Sequence, residues 1–183
     1  PHRHRARPAR VPHQVRLWRG DRDRGQQARD RIREGRPQEA ARQLRLRHSS
    51  VRFLLVGGVD ENPSSLKETE LNGWVKEGII EWLGHVDDVR PWLAQSSVFV
   101  LPSYREGMPR CSMEAMAMGR PIITTDAIGC RETVQDCVNG FIVPIGDSAS
   151  LTRAMFRFIE SPHFIGVMGE KSRNIAEQRF NVH

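Results

Sequence analysis

Two carboxylates carry the chemistry of this chain. Glu106 and Glu114 stand with seven residues between them in "PSYREGMPRCSMEAMAMGRP", residues 102–121. Glu106 falls in a loop after the apolar run "VFVL", and Glu114 in the first turns of a helix that begins near Arg110. A turn through Gly107 and Pro109 can fold the loop back over the helix start, so that both carboxylates face one cavity. The helix start also offers unpaired backbone N–H groups, from about Arg110 to Met113, which suit a phosphate. Carboxylates accept hydrogen bonds from ribose or hexose hydroxyls while amides hold a diphosphate, a combination that fits a nucleotide sugar. The plainer alternative is that Glu114 only favours the helix dipole and Glu106 is solvated.

The elements that would position this pair are legible from Val51 onward. "VRFLLVGG", "IIEWLGHV", "SVFVLPS", "PIITTD" and "GFIVP" read as five short apolar strands. Between them lie the helical stretches "SSLKETELNGWVKEG", starting near Ser64 or Ser65, "DDVRPWLAQS", with Asp87 as candidate N-cap, and "RCSMEAMAMG", stopped by Gly119. "GCRETVQD" is a brief helix, and "SASLTRAMFRFIE" and "IGVMGEKSRNIAEQRF" are amphipathic helices. Strands alternating with helices predict βαβ units and an α/β, doubly wound, Rossmann-like parallel sheet followed by C-terminal helices. Ligands on such sheets bind beyond the C-terminal strand ends. The residues there are Gly57-Gly58, His85, Pro102 to Pro109 and Thr125 to Gly129. Taken alone, Gly57-Gly58 only turns the chain, His85 is a loop residue, Arg110 either pairs with phosphate or lies on the surface, and Met113, Met116 and Met118 pack the core.

The first 50 residues differ in kind. They hold 15 Arg, no Lys and 5 acidic residues, a charge of +10, whereas residues 51–183 carry −4. Residues 1–47 read as an Arg-rich, atypical segment, either poorly ordered, artefactual or a basic arm, and residues 48–183 as the nucleotide-sugar-binding domain. A nucleic-acid partner is not expected, because no aromatic platform accompanies the arginines beyond Trp18. The segment is so poor in apolar residues that the remainder is expected to fold without it. Cys111, Cys130 and Cys137 form no CxxC pair, which reads as free thiols in a reducing compartment and offers no zinc site. No apolar run is long enough to span a bilayer, and the first residues lack a signal peptide's apolar centre. A cytoplasmic location follows as an expectation, at the inner membrane face if the acceptor is lipid-linked.

The block "EGMPRCSMEAMAMGRPIITTDAIGCRETVQDCVNGFIVP" resembles the C-terminal, donor-binding half-domain of the large retaining glycosyltransferase family of the GT-B class, whose signature is a Glu, seven residues and a second Glu. "VRFLLVGG", "LGHVDDV" and "NGFIVP" are similar too, so the likeness covers about residues 48–180. The resemblance implies that Glu106 binds hydroxyls of the donor hexose as the catalytic-site carboxylate. Gly107, Met108 and Pro109 line the sugar and diphosphate through their backbone. Glu114 binds the ribose, the backbone at His85 and Val86 meets the base, and Gly57 allows close approach. It implies hexose transfer with retention from a nucleotide sugar, of which a UDP-sugar is the preferred form, to a glycan or lipid-linked acceptor in polysaccharide or lipid-linked glycan synthesis. No cofactor or metal is expected. It also implies an N-terminal acceptor domain that this chain is too short to include, so that the chain alone transfers no sugar. The family's basic pair for the diphosphate has no clear counterpart: "RLWRGDRDRGQQARD" offers Arg16, Arg19, Arg22 and Arg24 but no Lys and no preceding apolar strand. Two other readings stand beside this one, a non-catalytic nucleotide-sugar-binding module and a basic nucleic-acid-associated protein.

Overall fold

A computed structural model of the 183-residue chain describes residues 14–18, 40–42, 44, 51–59 and 66–180. Six strands form one sheet: β1 (Gln14–Trp18), β2 (Arg52–Val56), β3 (Glu81–Trp82), β4 (Val98–Leu101), β5 (Ile122–Thr125) and β6 (Gly140–Val143). Every neighbouring pair is parallel, in the order β3-β2-β1-β4-β5-β6. Parallel neighbours cannot be joined by tight hairpins, so crossover segments must connect them. The described helices are α1 (Glu68–Lys76), α2 (Arg90–Gln95), α3 (Arg110–Ala117), α4 (Ser148–Glu160) and α5 (His163–Arg179), with a 3₁₀ turn at Arg131–Thr133. The strand order reverses between β1 and β4, which makes their C-terminal ends the switch point of a doubly wound sheet.

The alternation of side chains along the strands divides the core into two layers. Val98 and Val100 of β4 pack with Phe53, Phe141 and Met155 on one face, whereas Phe99 and Leu101 pack with Leu93, Met116 and Ile175 on the other. β4 and β5 are buried at every residue, as expected for strands covered by helices on both sides. Of the methionine run, Met116 is fully buried, while Met113 and Met118 are half-buried.

The helix boundaries have local causes. Glu70 reaches back to the Lys67 N–H at 3.0 Å at the start of α1. At α2 the carboxylate that meets the helix start is that of Asp88, not Asp87, and it accepts the Arg90 N–H at 2.9 Å. Ser64 and Ser65, expected near the start of α1, lie outside the described residues. α3 stops as the sequence implies. Gly119 adopts φ 66°, its N–H donates to Met116 O at 2.8 Å, and the Arg120 N–H donates to Ala115 O at 2.9 Å. The backbone of α5 crosses that stop closely: a Cβ on Gly169 would sit 2.3 Å from Gly119 O, so only glycine permits the contact. "IIEWLGHV" contributes a strand of only two residues, Glu81–Trp82.

The expectation of five strands is corrected to six, and the added strand bears on the segment before residue 48 that was expected to be dispensable. β1 lies within that segment and is paired on both sides, with Val15 registered against Phe53 on β2 and Val98 on β4. Ala40, Ala41 and Leu44 are completely buried in the first core layer. "QVRLW" is a short run flanked by arginines, so window composition hides it, yet parallel pairing uses backbone groups that every residue but proline supplies. Removing residues 1–47 would take out this inner strand and leave β2 and β4 with unpaired edges. Thermal unfolding followed by circular dichroism should lose its cooperative transition in that truncation. A cooperative transition within a few degrees of the full chain would contradict the assignment.

Candidate functional site

β4 delivers the chain to Pro102 at the switch-point edge, and the loop 102–109 then leads into α3. Glu106 is half-buried there, and its Oε1 accepts a hydrogen bond from Ser103 Oγ at 2.8 Å. The loop is fastened to the neighbouring strand and the turn after it. Thr124 Oγ1 donates to Leu101 O at 2.9 Å, Thr125 Oγ1 donates to Ser103 O, and the Glu106 N–H donates to Ile128 O at 3.4 Å. The tightest contact is at Gly129, with φ 82°: a Cβ there would lie 1.5 Å from Gly107 O and 2.5 Å from Glu106 O. No residue with a side chain fits while the loop keeps this path.

Pro109 precedes α3 as its buried cap residue. Its carbonyl accepts the N–H of Ser112 at 3.0 Å and of Met113 at 3.3 Å. The anion-facing set is therefore narrower than the expected Arg110 to Met113: within the helix, only the N–H groups of Arg110 and Cys111 have no carbonyl partner. Gly107, Met108 and the Arg110 side chain are exposed beside them. Glu114 is exposed and stands in the second turn of α3. Both carboxylates act on one group: burial first, then the negative charges of Glu106 and Glu114, push the Cys111 thiol up to about 12. The charge of Glu106 also contributes, after burial, to raising the Cys130 thiol. Glu106 and Glu114 both lie near Cys111, at the start of α3.

Gly57, His85 and Val86 form a second group on the same edge. The Gly57 N–H donates to Gly84 O at 2.8 Å, and Gly57 O accepts from Trp82 Nε1 at 2.9 Å, which ties the loop after β2 to the loop after β3. His85 is exposed, with Nε2 3.7 Å from Asp87 Oδ1, and Val86 is half-buried. The end of β1 intervenes between this group and the carboxylates. Glu106 is half-buried and Glu114 exposed, so both carboxylates are reachable from solvent. A cavity of about 330 Å³ lies at the other end of the sheet, against Arg52, Ile79, Glu81 and Trp82. Among the described residues, no cluster of three His, Cys, Asp or Glu side chains could hold a metal ion, and no helix is long and apolar enough to cross a membrane. Arg19, Arg22 and Arg24, and the side chain of Arg16, lie outside the described residues.

The family model for glycosyl transferases group 1 matches residues 38–161. The chain belongs to this family. Its relatives include the N,N'-diacetylbacillosaminyl-diphospho-undecaprenol alpha-1,3-N-acetylgalactosaminyltransferase of Campylobacter jejuni, 35% identical over 59% of this chain and 28% of that protein. The UDP-Gal:alpha-D-GlcNAc-diphosphoundecaprenol alpha-1,3-galactosyltransferase of Escherichia coli is 33% identical over 71% of this chain and 33% of that protein. Among solved structures, Anabaena HepE in complex with UDP superposes with TM-score 0.76 at 24% identity, over 93% of this chain and 45% of HepE. The sucrose-phosphate synthase of Thermosynechococcus elongatus gives 0.72 at 26% identity, over 94% of this chain and 43% of that one. These neighbours establish the fold as one half of a GT-B glycosyltransferase. The chain spans about a third of the length of the curated relatives it matches.

In this group 1 glycosyl transferase chain, sequence reasoning named the carboxylates but missed what holds them. Ser103, Thr125 and Gly129 were visible only as residues after strands. Their partners lie across the gap between β4 and β5, so spacing gave no signal of the contact. Gly129→Ala should cost about 1–3 kcal/mol for the left-handed backbone alone, with the steric clash in addition. Denaturant unfolding should show that loss. Stability unchanged within error would mean the loop does not follow the path described.

Proposed function

We propose that this chain is the donor-binding half of a glycosyltransferase that moves a hexose, with retention, from a UDP-sugar to a hydroxyl of a glycan or lipid-linked acceptor. The observation that carries the reading is the pair Glu106 and Glu114 at the start of α3, on the switch-point edge of the sheet. The N–H groups of Arg110 and Cys111, with the positive end of the α3 dipole, hold the diphosphate. Glu114, one turn further along, accepts the ribose hydroxyls. Glu106, held from the loop side, accepts hydroxyls of the hexose, and the exposed backbone at Gly107 and Met108 lines the sugar. Gly57, His85 and Val86, across the end of β1, face the base.

Charge bears on this reading. Two carboxylates beside a diphosphate repel it, so cations must offset them. Arg110 is exposed at the first position of α3. The chain leaves β1 at Trp18 on the same edge, and Arg19, Arg22 and Arg24 follow in sequence. As the bond to the anomeric carbon breaks, charge accumulates on the leaving UDP, and amides and guanidinium groups aimed at it stabilise the transition state. The acceptor hydroxyl attacks from the face that UDP leaves. Glu106 orients the sugar and need not form a bond to it. A lipid-linked acceptor would bring the enzyme to the cytoplasmic face of a membrane. Transfer requires donor and acceptor in near-attack geometry, and the acceptor side belongs to a partner half of the fold, so this chain alone binds the donor without turning it over.

Titration calorimetry with UDP tests the ribose assignment. Glu114→Ala should weaken binding by about 1–3 kcal/mol, the range for a hydrogen bond to a charged group. A folded Glu114→Ala variant with unchanged affinity would refute that role.

A further inference from the structure

Two hydrogen bonds connect the sheet to the Glu106 carboxylate. Thr125, at the last position of β5, is buried, and its hydroxyl donates to the carbonyl of Ser103. The hydroxyl of Ser103 donates to Glu106 Oε1 at 2.8 Å. The backbone of Glu106 is fixed separately, through Ile128 O and the close approach of Gly129. A glutamate has three side-chain torsions to restrain, and backbone fixation restrains none of them. The Ser103 hydroxyl is a side-chain donor placed to restrain where this carboxylate points.

We infer that Ser103 is a positioning residue for donor-sugar recognition: through its hydrogen bond to Glu106 it sets the orientation in which that carboxylate meets the hexose, and Thr125 anchors Ser103 to the sheet. The inference rests on the assignment of Glu106 to the hexose made above. It adds that sugar recognition and nucleotide recognition are held by different parts of the fold. Glu106 is oriented from β5, whereas Glu114 and the free amides belong to α3. Loss of the Ser103 hydroxyl should therefore be felt by the sugar and not by the nucleotide. Ser103→Ala removes only one oxygen from a half-buried site, and Ser103→Thr restores the donor.

The test is calorimetry on the full chain with two probes, UDP and UDP-glucose, for the wild type, Ser103→Ala, Ser103→Thr, Glu106→Ala and the double variant Ser103→Ala/Glu106→Ala. Ser103→Ala should weaken UDP-glucose about fivefold to tenfold, as for one typical lost hydrogen bond, and leave UDP within twofold. Ser103→Thr should recover most of the loss, and the double variant should bind UDP-glucose no more weakly than Glu106→Ala alone. Equal weakening of both probes, no weakening of either, or a Ser103→Ala effect that persists without Glu106 would each overturn the positioning role. A wild-type chain that binds neither probe overturns the nucleotide-sugar reading itself, and this inference with it. A chain that binds both while Ser103→Ala behaves as wild type overturns the inference alone.

Discussion

The approach of Gly129 to the carbonyls of Glu106 and Gly107 is the constraint on which the candidate site depends. There is no room for a side chain between the turn after β5 and the loop after β4. That contact, with the threonine hydroxyls beside it, makes two consecutive strand ends behave as one rigid ledge. Loops over a sheet edge are ordinarily among its most mobile parts. Here the loop that carries Glu106 is held by β5, and α3 is held by the core at Ala115 and Met116 and by the passage of α5 across its end. The carboxylates inherit their positions from these two supports.

Electrostatics give the ledge its character. Burial first, then the charges of Glu106 and Glu114, raise the Cys111 thiol to about 12, which favours its protonated form at neutral pH. On the donor-binding reading proposed above, a bound diphosphate would call for cations beside these carboxylates. The formal charge is +10 before residue 51 and −4 from there on.

Much of this was legible because it is local. The strand runs "RFLLV" and "VFVL", the glycine stop of α3 and the two carboxylates could all be read from sequence, since each rests on periodicity or on a neighbour a few residues away. β1 was not legible, because "QVRLW" carries too little apolar sequence among its arginines and owes its place to pairing with strands at residues 52 and 98 and beyond. The N-cap of α2 is Val89 rather than the expected Asp87, with Asp88 accepting the Arg90 N–H, a displacement that composition does not resolve. Gly107 and Met108, read as part of the turn before α3, are exposed. The support from Ser103, Thr125 and Gly129 is non-local and therefore absent from any spacing rule.

The central claim is that the nucleotide is received at the start of α3, at the switch-point edge of the sheet. The alternative is the 330 Å³ cavity at the far end. Backbone amide chemical shifts of the isotopically labelled chain, titrated with UDP, separate the two directly. The account predicts the largest saturable shifts at Arg110, Cys111 and Glu114, with smaller ones at Gly57 and His85 and none at Ile79 or Glu81. Shifts concentrated at Ile79, Glu81 and Trp82, with the start of α3 unmoved, would contradict it.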